Sequence, residues 1–160
     1  EGARLVAVLT QAQDPGNAGT IIRAADAAGA DAVVLVRGSV DPTAPKVVRS
    51  TAGSLFHLPV VTGVALDDAV TALHNAGLTV LAADGRGDFD LFEAESLLEA
   101  PSAWLLGNEA HGLPSEALSR ADAVVSIPIY GKAESLNVAA AAAVCLYASA
   151  RAQAQNSGRS

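Results

Sequence analysis

The sequence predicts an α/β domain, a mostly parallel sheet with helices on both faces. Three observations carry this. The strand-like runs Leu5–Leu9 and Ala32–Val36 are apolar along their whole length, and Leu78–Ala83 is so but for Thr79, as strands buried on both sides are. Helix-like stretches separate them, the alternation that builds parallel crossovers. The chain has 160 residues, 51% of them hydrophobic and 17% charged, which suits one domain with one sizeable core. Only 4% is aromatic, so that core is built from Ala, Val, Leu and Ile.

Taken in order, Leu5–Leu9 is the first strand. Asp14-Pro15-Gly16-Asn17 is turn chemistry, with Asn17 placed to cap a helix from Thr20 to Ala28 that Gly29 closes. A strand at Ala32–Val36 and a loop at Asp41–Pro45 follow, then an irregular helix from Lys46 to Phe56 and a short strand at Pro59–Val61. Asp67–Ala76 reads as a helix stopped by Gly77. Leu78–Ala83 is a strand running into the loop Asp84-Gly85-Arg86-Gly87. Ala103–Leu106 is a strand, Pro114–Arg120 a short helix, and Val124–Ile129 a strand carrying Pro128. Ser135 is expected to cap a long helix ending near Arg151, and the polar stretch 153–160 is expected to be disordered. No repeat or inner domain boundary is visible, so 1–152 forms one unit.

The longest apolar run, Val138 to Ala148, is too short for a membrane span, and nothing at the head reads as a secretory signal. The sequence holds no Met and opens at Glu1 almost directly into a strand, which leads us to expect a piece of a longer protein with the missing part on the N-terminal side. One cysteine, Cys145, excludes an internal disulfide and reads as a buried core thiol; the default compartment is cytoplasmic. The net charge of −7 speaks against a nucleic-acid partner. A missing basic domain would resolve that, and so would a local cluster of Arg23, Arg37, Lys46 and Arg49.

Three segments carry polar residues that a core has no use for. In Asn17-Ala18-Gly19-Thr20-Ile21-Ile22-Arg23, the arginine sits among apolar and small residues and needs a partner. That partner is either a carboxylate, Asp26 or Asp31, or a bound phosphate. In Trp104-Leu105-Leu106-Gly107-Asn108-Glu109-Ala110-His111-Gly112-Leu113, a strand runs into a glycine turn bearing an amide, a carboxylate and an imidazole. No second His or Cys cluster supports a metal. In Ile127-Pro128-Ile129-Tyr130-Gly131-Lys132-Ala133-Glu134-Ser135-Leu136-Asn137-Val138-Ala139-Ala140-Ala141, small residues allow close helix packing, and Asn137 is polar beyond what capping by Ser135 needs.

In this order the three segments resemble the motifs of the SpoU family of RNA 2′-O-ribose methyltransferases, in the SPOUT superfamily. The resemblance runs from Leu5 to about Ala148 and includes the stretch from Pro45 to Pro59 between the first two motifs. It implies a C-terminal deep trefoil knot, S-adenosyl-L-methionine as cofactor, an RNA substrate and a homodimer that completes the site across its interface. By position it assigns Asn17, Arg23, Glu109, Ser135 and Asn137 to catalysis. It assigns the cofactor to Ala83, Asp84 and Gly85, to Leu106, Gly107, Asn108 and Glu109, and to Ile127, Pro128, Ser135, Leu136 and Asn137. Arg23, Lys46 and Arg49 would meet the RNA. An arginine has been suggested as the base in such enzymes. Neutralising any guanidinium near pH 7.5 costs about 7 kcal/mol, so Arg23 is better suited to anchoring a phosphate and stabilising a developing alkoxide.

The similarity of the middle segment to ribosomal members favours ribosomal over transfer RNA. Ribosomal members often carry an N-terminal RNA-binding domain, which fits the acidic remainder and the abrupt start. A nicotinamide-binding module would need G-x-G-x-x-G after the first strand, where only Gly16 and Gly19 occur; the open-sheet methyltransferases fail on the same loop. A non-catalytic RNA-binding or dimerisation module of the same fold is the remaining alternative.

Overall fold

The structure, a computed structural model, describes residues 2–107 and 112–158. Seven parallel strands form one sheet in the order β3-β2-β1-β6-β4-β7-β5. They are β1 (Leu5–Leu9), β2 (Ala32–Val36), β3 (Val60–Val64), β4 (Thr79–Ala83), β5 (Phe89–Asp90), β6 (Ser102–Leu106) and β7 (Ala123–Ser126). Between and after them run α1 (Pro15–Ala27), α2 (Pro45–Ser50), α3 (Leu66–Asn75), α4 (Glu95–Leu98), α5 (Ser115–Arg120) and α6 (Val138–Ser157).

The apolar strands divide their side chains between two cores, because successive residues point to opposite faces. Leu5, Ala7, Leu9, Val33, Leu35, Leu81, Trp104 and Leu106 pack under α1 and α6. Val6, Val8, Val34, Val36, Val80, Ala82, Ala103 and Leu105 pack under α3 and α5. The buried Trp104 keeps its indole N–H satisfied by donating to Ser149 Oγ at 2.8 Å. Cys145 lies in the first core, where burial pushes its thiol up to about 12.

Helix starts differ from the expectation at both functional ends. The cap of α1 is Asp14, whose carboxylate accepts from the amides of Gly16 and Asn17 at 2.8 and 3.1 Å, and Pro15 fills the first turn. Asn17 is therefore inside the helix, with its side chain released from capping. The cap of α6 is Asn137 rather than Ser135: its Oδ1 accepts from the amides of Ala139 and Ala140. The stretch 153–157, expected to be disordered, continues α6. Gln153 is buried there and donates to the carbonyls of Arg4 and Ala100 at 2.9 and 3.1 Å. Polarity alone misread it, because Gln153 satisfies backbone acceptors at the sheet's amino edge.

Three further differences have local causes. The stretch expected as one irregular helix from Lys46 is α2 followed by a 3-10 turn at Ser54–Phe56, broken where Ala52 and Gly53 adopt φ of 50° and 91°. β7 ends at Ser126, before Pro128, which has no N–H to offer a ladder. β5, a 3-10 turn at Leu91–Glu93 and α4 are too short to leave a period in the sequence.

α1 and α2 cross with almost no separation. A Cβ at Gly19 would lie 2.3 Å from Ser50 Cβ and 2.8 Å from the Val47 carbonyl oxygen. Glycine is thus required at Gly19 by proximity rather than by backbone conformation.

Candidate active site

In a parallel sheet the loops at the carboxyl ends of the strands form the ligand crevice. Here a cleft of about 300 Å³ opens beyond β4 and β7, against the start of α6. Ala83, Asp84, Gly85, Ile127, Ser135 and Leu136, all expected at a cofactor site, line it together with Gly112, Ile129, Glu134, Val138 and Ala141. Two larger hollows, of about 570 and 930 Å³, lie between α4 and α6 and at the amino ends of the strands. The first is an open apolar hollow on a helix face and the second is on the wrong side of the sheet for its loops, so the smaller cleft is the candidate.

The β4 loop is shaped tightly. Asp84 donates its amide to Val125, and Gly87 donates back to Asp84 at 3.0 Å. A Cβ at Gly87 would stand 2.6 Å from the Val124 carbonyl oxygen. Asp84 directs its carboxylate into the protein. Its Oδ1 accepts from the amide and Nε of Arg86, and its Oδ2 accepts from a terminal nitrogen of the same guanidinium at 2.8 Å. Arg86 holds the Asp84 carboxyl below the usual carboxylate range against the opposing effect of burial. What Asp84 offers the cleft is therefore backbone.

The first and third motifs meet at one contact. Asn137 Nδ2 donates to Asn17 Oδ1 at 3.3 Å, while Asn137 Oδ1 caps α6. Because the cap requires the oxygen to face the helix amides, the amide nitrogen is the atom turned to Asn17. Ser135 is exposed and faces the cleft two residues earlier.

Arg23 is exposed on α1. The carboxylate pairings considered for it do not form: Asp26 binds His57 Nδ1 at 2.7 Å, and Asp31 accepts the amides of Arg4 and Leu5. The His57 hydrogen bond is the main cause that holds Asp26 below its ordinary value. Lys46 and Arg49 are exposed on α2, which the Gly19 crossing holds against α1, so three cations stand on adjoining helices. Arg37 lies apart, beyond β2, where it donates to the Gly63 carbonyl.

Other expected residues stand at the margin. The Leu106 carbonyl is taken by Thr10, whose amide and hydroxyl donate to it at 3.0 and 2.9 Å. Gly107 packs against the backbone of Gly112 and Leu113, where a Cβ would approach to 2.5 Å. Pro128 connects two cleft residues without lining the cleft itself. Asn108 and Glu109 lie outside the described residues. Of the lining residues that sequence reasoning did not select, Ile129 and Glu134 sit inside the third segment, and Val138 and Ala141 are three apart on one face of α6. Gly112, at φ 65°, carried no signal beyond being glycine. Among the described residues no group of His, Cys, Asp and Glu could hold a metal ion, and no helix is long and apolar enough to cross a membrane.

Known proteins share both the sequence and the fold. The chain is 43% identical over 148 residues to the 23S rRNA (guanosine(2553)-2′-O)-methyltransferase RlmP of Bacillus subtilis, covering 91% of this chain and 57% of that one. It superposes on the SpoU methyltransferase AviRb from Streptomyces viridochromogenes, solved in complex with the cofactor AdoMet, with a TM-score of 0.87. That pair is 37% identical and covers 97% of this chain and 62% of the other. A structure concerned with the 2-OH methylation of C/U34 on tRNA gives a TM-score of 0.84 at 32% identity, covering 96% and 98%. The chain thus spans little more than half the length of its ribosomal relative. The SpoU rRNA Methylase family matches from Arg4 to Tyr147, through the first motif, the cleft and the start of α6, and the chain belongs to that family.

Proposed function

We propose that this chain transfers a methyl group from S-adenosyl-L-methionine to a ribose 2′-hydroxyl of RNA, with ribosomal RNA as substrate. The observation that carries the proposal is the Asn17–Asn137 contact at the edge of a cleft placed where a parallel sheet binds its ligand. The cleft fits the cofactor in kind. At about 300 Å³ it stands at the lower end of small-molecule sites, roughly 300–1,000 Å³. Ile127, Ile129, Leu136 and Val138 offer apolar walls for a purine, Gly85 and Gly112 leave backbone open to approach, and Glu134 and Ser135 supply polar groups. When bound, the cofactor supplies a methyl group made electrophilic by its sulfonium.

The chain's own residues do the rest. Asn17 Oδ1 accepts the hydrogen of the ribose hydroxyl and Asn137 Nδ2 donates to its oxygen, so the pair that now bond each other fix the nucleophile's direction. Arg23, exposed and without an ion pair among the described residues, binds a flanking phosphate and stabilises the charge that grows on the 2′-oxygen as its proton passes to solvent water. Lys46 and Arg49 extend that contact along α2. Ser135 sets the loop before α6, and Glu109 completes the group by family position. The deep knot and a cytoplasmic location belong to the same reading. So does a homodimer, supported by the exposed Phe92 and Tyr147 in the hollow between α4 and α6.

Calorimetric titration with S-adenosyl-L-methionine, with NADH as control, tests the cofactor. Transfer of labelled methyl to ribosomal and transfer RNA then tests the substrate. Saturable binding of S-adenosyl-L-methionine alone, with label entering ribosomal RNA, is expected. Label entering only transfer RNA would reassign the substrate. A folded chain that binds RNA but not the cofactor would make it a non-catalytic module.

A further inference from the structure

Arg86 lies outside all three motifs and has no role in the reading above. Its side chain is 62% exposed, yet its guanidinium grips Asp84, whose side chain is only 9% exposed. One terminal nitrogen reaches further and donates to the carbonyl of Leu113 at 3.0 Å. Two separate stretches of chain are thus tied through one side chain: the turn Asp84–Gly87 after β4, and the backbone at Gly112–Leu113. Both stretches wall the cleft, through Asp84 and Gly85 on one side and Gly112 on the other. Leu113 is itself buried in the second core, so the anchor is firm.

We propose that Arg86 is a positioning residue for the methyl donor, strapping the Asp84–Gly87 turn to Gly112–Leu113 and so fixing the width of the cofactor cleft. Stability is met by the pairing with Asp84 and does not call for a further hydrogen bond to Leu113, on a separate stretch of chain. Preorganising a binding site does, because it removes the ordering cost from the binding step. A lysine cannot substitute in full: its single ammonium reaches Asp84 but lacks the planar fork that serves Asp84 and Leu113 together. The proposal rests on the cofactor reading of the cleft.

The test uses Arg86→Ala and Arg86→Lys, each measured three ways. Calorimetry gives the affinity for S-adenosyl-L-methionine, electrophoretic shift gives the affinity for RNA, and amide exchange without ligand reports local opening. Arg86→Ala is expected to weaken cofactor binding on the order of tenfold, to leave RNA affinity unchanged, and to speed exchange at Asp84–Gly87 and Leu113 but not in β1 or β6. Arg86→Lys is expected to fall between Arg86→Ala and the parent. Unchanged exchange at both stretches, or cofactor affinity equal to the parent's, overturns the strap. Exchange accelerated evenly across the sheet also overturns it, since the residue would then act on the fold at large. If the parent chain fails to bind S-adenosyl-L-methionine while Arg86→Ala still loosens the two stretches, the strap stands and the cofactor reading falls.

Discussion

Asn137 serves two neighbours with one carboxamide, and substitution can separate them. Asn137→Asp keeps an oxygen for the amides of Ala139 and Ala140 but has nothing to donate to Asn17. It is expected to melt near the parent temperature while losing methyl transfer. Asn137→Ala loses the cap as well, a cost of about 1 kcal/mol, and its thermal midpoint should fall. Equal activity in Asn137→Asp and the parent would remove the residue from the site. Asp84 gives a pH signature. Its carboxyl is held low by Arg86 in the folded state, so the stability it contributes is present above its unfolded value, near 3.9, and is lost as pH falls through the folded one. Thermal melts from pH 7 to 3 should show the parent declining below about pH 4, with a shallower decline in Asp84→Asn. Cys145, with its thiol raised to about 12 by burial, should resist thiol reagents at pH 8 until the chain unfolds.

At the scale of elements, the pairing of α1 with α2 decides whether the three cations act together. Gly19→Ala places a methyl where Ser50 Cβ and the Val47 carbonyl already stand, an overpacking worth roughly 1–3 kcal/mol. It should also weaken RNA binding by shifting Lys46 and Arg49 away from Arg23. If those two side chains meet phosphates, Lys46→Gln with Arg49→Gln should lower the slope of log affinity against log salt by about 1.4, at roughly 0.7 per single-strand phosphate contact. An unchanged slope would place the RNA elsewhere. The strands were legible in the sequence because burial on both faces leaves unbroken apolar runs such as Leu5–Leu9. The meeting of Asn17 with Asn137 was not, because their contact spans 120 residues and depends on Asp14 taking over the cap of α1. Asp84 was legible as a cleft residue by position, yet the direction of its carboxylate was hidden, since the partner Arg86 is exposed and only two residues away.

For the molecule as a whole, a net charge of −7 would leave the proposed RNA contact only a small part of the surface, and the apolar hollow between α4 and α6 is open to another use. Tyr147→Glu puts a charge into that hollow. Sedimentation is expected to show dimers for the parent chain and monomers for the variant, with cofactor affinity falling as well if the site is completed across the interface. A parent chain that sediments as a monomer at high concentration would remove the dimer from the proposed function. The chain spans little more than half the RlmP relative's length, and supplying the remainder of such a relative should raise RNA affinity without altering affinity for S-adenosyl-L-methionine.

Gln153 ties the end of α6 to Arg4, at the head of β1, and to Ala100, just before β6. These three points are far apart in the order of synthesis. Ser102 already donates to both carbonyls, its amide to Arg4 and its hydroxyl to Ala100, so Gln153 adds a second donor to acceptors that β6 serves first. The docking of α6 thus closes a loop across 149 residues, a long-range contact whose closure entropy is met only once the sheet it caps is in place.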